Sequence, residues 1–134
     1  MGIFSADTVT DFVRRGDIAG VRRRLELGDD VNERRSFKST PLIEAARRGN
    51  IGMMELLLEH GADMDLMDSS RLTALHSAIN EEKSAAAIVL AQRGACANKV
   101  GFLGRAPLQC AIKKNLLEVT TELLANGANP MVRS

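Results

Sequence analysis

A period of 33 residues runs through the whole chain without gaps, and it limits what the chain can become more than any other property. Thr40 falls in register with Thr73 and Ala106, Leu42 with Leu75 and Leu108, and Leu57 with Leu90 and Leu123. Gly28, Gly61, Gly94 and Gly127 form one further register. Self-similarity at this spacing means a stack of supersecondary units, none of which can bury its apolar face without a neighbour.

The second copy, residues 35–67, carries the pattern most fully. Thr40 supplies an N-cap oxygen, Pro41 fits the first helical position, and Leu42, Ala45 and Ala46 follow at helical spacing. In the first copy Asp7 takes the place of Thr40 and is predicted to cap a helix carrying Val9, Phe12 and Val13. A second helix then runs from about Asp17 to Gly28, a glycine suited to the left-handed end of a helix. Arg22, Arg23 and Arg24 stand where the next copy has Glu55, Leu56 and Leu57, which marks the outer face of a terminal unit. The third copy has Glu82 where a glycine is expected, and Ala85, Ala86 and Ala87 in its second helix, so it is predicted to be the weak link. The fourth replaces the capping threonine by Ala106 and carries Thr120 and Glu122 where the second has Met54 and Leu56, the mark of a polar end.

The recurring phrases are Thr-Pro-Leu, then Ala-Ala-x-x-Gly, then Glu-Leu-Leu-Leu-x-x-Gly-Ala-Asp, clearest at 40–63. They resemble the ankyrin repeat, and four copies cover nearly the whole chain: 1–34 and 101–134 as terminal capping repeats, 35–67 and 68–100 between them. The resemblance implies an all-α solenoid of stacked helix-turn-helix pairs joined by β-hairpin-like fingers, forming a slightly curved rod. It also implies that His76, in the Thr73-Ala74-Leu75-His76 box, braces neighbouring turns by hydrogen bonds.

No nucleophile-base pair, metal-ligand spacing or phosphate loop stands out, so no catalysis and no cofactor are expected. Cys96 and Cys110 show no CxxC spacing, and the glycines of Gly101-Phe102-Leu103-Gly104 lack a nucleotide-binding pattern and read as a finger turn. His60 precedes Gly61 at a helix end, where an imidazole suits the helix dipole. With no disulfide framework, no membrane-spanning run and no signal pattern, a cytoplasmic or nuclear monomer is expected. The segment LELGDDVN, residues 25–32, resembles the context in which ankyrin-repeat asparagines are hydroxylated, which makes Asn32 a candidate beside its ordinary role as a turn residue.

The resemblance implies that partners meet a concave groove made of the finger tips and the exposed side of each first helix. Just before each inter-helix turn the register places Arg14-Arg15, Arg47-Arg48, Asn80-Glu81 and Lys113-Lys114, six of the eight being basic. The finger tips add Phe37, Lys38, Arg71, Leu72, Phe102, Leu103 and Arg105. Apolar anchors in a charged rim suit a protein partner. The expectation is therefore an interaction module, an adaptor, scaffold or regulatory subunit, that docks an acidic or phosphorylated protein segment. The alternative is nucleic-acid or anionic-membrane binding through the same basic stripe. Against it stand a net charge of +1, the absence of Tyr and Trp, and Glu81 within the stripe.

Overall fold

The computed structural model describes residues 7–128. Among them the helices are α1 (Val9–Arg15), α2 (Ile18–Glu26), α3 (Pro41–Arg48), α4 (Ile51–Glu59), α5 (Ala74–Asn80), α6 (Ser84–Gln92), α7 (Pro107–Lys113) and α8 (Leu117–Ala125). They pack as four pairs, α1 with α2, α3 with α4, α5 with α6 and α7 with α8, and the pairs stack in sequence order. First helices contact first helices and second helices contact second helices, so the chain is a two-layered stack, the all-α ankyrin-type solenoid that the period predicts. The core is the seam between layers: Leu42, Leu57, Leu75, Leu90, Leu108 and Leu123 are fully buried, with small Ala45, Ala46, Ala78, Ala87 and Ala111 letting the helices approach.

Caps explain where the first helices begin. Thr40 accepts from the Ile43 amide and Thr73 from the His76 amide. In the first pair the cap lies one residue later than the register predicts. Thr8, and not Asp7, caps α1: its hydroxyl accepts from the Asp11 amide, and Asp11 accepts from the Thr8 amide at 2.9 Å. This reciprocal box fixes the start, and Asp7 pairs instead with Arg15 at 3.0 Å. Ala106 has no capping oxygen, but Gln109 Oε1 accepts from its amide at 2.8 Å, which restores half of the box.

The turns between paired helices need a left-handed residue. Gly16 and Gly49 supply it at φ 73° and 70°, whereas Glu82 and Asn115 are held at 57° and 58°. The third and fourth pairs are doubly compromised, because Lys83 and Leu116 offer no cap to α6 and α8 where Asp17 and Asn50 cap α2 and α4. Glu82→Gly is expected to stabilise the fold by about 1 kcal/mol. The Lys114 contact it forfeits is 3.8 Å long and solvent-screened. A thermal melt should rise by roughly 4 °C, and an unchanged or lower midpoint would contradict the assigned strain.

Between pairs the chain turns back in short fingers. Arg35 N–H donates to Ser39 O, Asp68 N–H to Leu72 O and Gly101 N–H to Arg105 O, each at about 3 Å, and a reverse turn closes each tip. This is a hairpin reduced to a single pairing, and no strand forms among the described residues. The Ser69 amide donates to Phe37 O at 2.8 Å and ties one finger to the next. Gly101 is required by proximity: a Cβ there would strike the backbone oxygen of Arg71 and press on the His76 ring.

The far end is less polar than expected. Ile112 and Leu124 are 56% and 46% exposed, although Ile79 and Ala91, at the same register one unit earlier, are buried by the next pair. Thr120 does replace the buried Ala87 and Met54, so the end face is mixed.

Candidate binding surface

The finger tips present the first set of expected contact residues. Phe37 and Leu103 are 82% and 64% exposed, and both sit at positive φ, 59° and 56°. Lys38 and Arg71 are left-handed as well, at 59° and 64°, where the last finger uses Gly104. A bulky L-residue in this region costs on the order of 1 kcal/mol or more. Leu72 is partly buried at the base of its finger, and the side chain of Phe102 lies outside what the structure describes.

The helix ends are organised differently from a free basic stripe. Glu44, in the middle of α3, is buried, and its carboxylate gathers the arginines of two pairs. Arg48 reaches it at 2.6 Å, Arg47 at 3.5 Å and Arg14 at 3.6 Å, while the Ser39 hydroxyl donates to it at 2.6 Å. Arg47 also faces the buried Asp68 at 3.7 Å. Burial pushes the Glu44 carboxyl up, but the Ser39 hydrogen bond, the Arg48 bond and the charges of Arg47 and Arg48 outweigh it and hold the group below its ordinary range. These residues, with Phe37, border a recess of about 390 Å³. Arg15 turns away to Asp7 and lies over the Phe12 ring at 5.2 Å. Sequence reasoning missed Glu44. The available signal was an acid three and four residues before two arginines on one helix.

The other half of the groove is not balanced in this way. The register position of Glu44 holds Asp11 in the first pair but Ser77 in the third and Cys110 in the fourth. Asn80, Arg105, Cys110, Lys113 and Lys114 border a recess of about 440 Å³. Of its three cations only Lys114 has an ionic partner among the described residues, the exposed Glu82. Glu81 is exposed at the turn that follows α5. A third recess, of about 490 Å³, lies beside the fingers, where Lys38, Arg71, Arg34 and Lys99 meet Asp65 and Asp68.

The remaining candidates have structural tasks. His76 Nε2–H donates to Arg105 O at 3.0 Å and Nδ1 lies 2.8 Å from the Thr73 hydroxyl, so the ring braces the next finger as the repeat motif implies. Burial holds its pKa below the ordinary value, against the upward pull of the Arg105 carbonyl and Asp68. His60 Nδ1 lies 3.0 Å from Leu56 O at the end of α4. Asn32 Oδ1 accepts from the Asp63 amide at 2.8 Å, which gives the hydroxylation candidate a bridging role between loops. Cys96 and Cys110 are both free thiols, and burial pushes Cys110 up despite nearby Arg105 and Lys114. Among the described residues no acid, cysteine and histidine cluster suits a metal, and no helix is long and apolar enough to cross a membrane.

Comparison with known proteins agrees with this architecture. The family described as Ankyrin repeats (3 copies) matches residues 11–101, and the single Ankyrin repeat matches residues 103–134. No curated protein matches the chain at a significant level. With helix pairs, fingers and the family patterns in one register, the chain belongs to the ankyrin repeat family.

Proposed function

We propose that this protein is a non-catalytic interaction module, an adaptor, scaffold or regulatory subunit, that binds an acidic or phosphorylated segment of another protein along the groove and finger tips. Ankyrin repeats are in general protein-interaction modules, which sets the class. The observation that carries the reading for this chain is the pair Phe37 and Leu103. Both are large apolar side chains held in solvent on a backbone that disfavours them, and neither contributes to the core. Strain of that kind clusters at ligand clamps and binding sites, which supports the reading. The surrounding Lys38, Arg71 and Arg105 form the charged rim of such an anchor.

The test uses opposite signs. Phe37→Gly relieves the left-handed strain, so it should raise stability by about 1 kcal/mol in a urea melt. The same change removes the anchor and should sharply reduce recovery of the cellular partner, identified by cross-linking and mass spectrometry with the unaltered protein. Undiminished recovery would refute the finger-tip role. Arg47→Glu with Arg48→Glu is a poorer probe, because it would crowd carboxylates around Glu44 and unsettle the fold itself. The same neutralisation by Glu44 and Asp68 weakens the alternative of nucleic-acid or anionic-membrane binding, which requires a continuous cationic track.

A further inference from the structure

The groove carries cations on three of its four helix pairs, with Asn80 and Glu81 at the third, and the cations are in two different states. At α3 the three arginines Arg14, Arg47 and Arg48 already share the chain's own buried carboxylate, Glu44, which fills the place an incoming acid would take. At the junction of the third and fourth pairs the corresponding positions are the neutral Ser77 and Cys110. There Arg105 is half-buried and its guanidinium meets no carboxylate among the described residues. Asn80, half-buried on the facing helix, also has no hydrogen-bond partner for its amide among them. Both border the recess and keep their N–H donors for an incoming anion. The helix dipole of α7 accounts for Lys113 and Lys114 at its end but not for Arg105, which arrives from the finger.

We infer that the recess bordered by Asn80, Arg105, Lys113 and Lys114 is a seat for a phosphomonoester carried by the partner segment. A carboxylate offers one charge and two coplanar oxygens. A phosphoryl group carries about −1.5 to −2 and presents three oxygens in different directions. That matches cations and an amide converging from a finger, from α5 and from α7. The recess of about 440 Å³ is open enough to admit the group with its attached side chain. This inference rests on the reading that the groove receives a protein segment, and it narrows that reading to one place and one chemistry.

The probe is O-phosphoserine, titrated into isotope-labelled protein and followed by nuclear magnetic resonance, with succinate and serine as controls. Saturable shifts are expected at the Asn80 side-chain amide, Arg105 Nε–H and the Lys113 backbone. Arg105→Gln with Lys113→Gln should weaken binding at least about tenfold, since it removes both unpaired charges, while the dispersion of the spectrum stays that of the folded chain. Equal binding of succinate would overturn the assignment to phosphate. Saturable shifts centred on Arg14, Arg47 and Arg48 would overturn the location, and no saturable shift at all would overturn the seat. None of these results depends on partner capture through Phe37, so the seat can fail while the interaction module stands, and the reverse.

Discussion

Replacing Glu44 by alanine is expected to lower the unfolding free energy by about 2 kcal/mol. Roughly half comes from the Ser39 hydroxyl, whose bond to the carboxylate is lost inside the fold. The rest, on the order of 1 kcal/mol, comes from the arginines left facing one another, discounted because their side chains are 39–40% exposed and screened. A urea melt measures the loss, and a change no larger than a surface substitution would show that the cluster does not hold the groove together. The pH dependence has a definite sign. Because the folded carboxyl lies below the ordinary 4.5, the stability it contributes is complete above that value and disappears as pH falls through the depressed folded pKa. The substitution has a second consequence. With their own carboxylate gone, Arg14, Arg47 and Arg48 become available, and O-phosphoserine should then shift their signals as well.

His76→Ala is expected to cost about 3 kcal/mol, from the emptied space and the lost bonds to Thr73 and to the Arg105 carbonyl, which keeps only its Gly101 donor. Hydrogen exchange should show the damage at the finger of residues 101–105 and the last helix pair before the rest of the stack. The native ring also makes the junction sensitive to acid. Its folded pKa lies below the unfolded value of 6.5, so the unfolded chain binds the proton first. Stability is full above about 6.5 and falls with pH until the lowered folded pKa is reached. Melts at about pH 7 and about pH 5.5 should differ for the native chain. Part of that difference should vanish in His76→Ala, and the same slope in both would mean that the histidine does not report the junction.

The scaffold was legible in the sequence because its determinants are local and recur. Thr40, Pro41, Gly49 and Gly61 act through backbone geometry that depends only on near neighbours. His76 was legible because its box has a known geometric task. The position of Asp7 misled because a gapless register was extended into a copy where Thr8 and Asp11 make their own reciprocal cap. The groove was half legible. Exposure of the helix-end pairs follows from the register, but whether a cation is free depends on a carboxylate approaching from another turn or another helix, as Glu44 does for Arg14. Left-handed Phe37 and Leu103 were hidden for a similar reason, since only Gly104 in the last finger hints at the conformation.

Among the described residues the bonds that join the first unit to the second are not those that join the third to the fourth. Arg34 reaches Met67 O, Asn32 reaches the Asp63 amide, and His76 reaches Arg105 O past the one finger residue, Gly101, that leaves room for its ring. Ile43 occupies the register of His76 and has no side-chain donor with which to reproduce its brace. The first and third units therefore carry different addresses for the neighbour that follows, and a chain with the middle units exchanged would set His76 against Arg35 where it now meets Gly101.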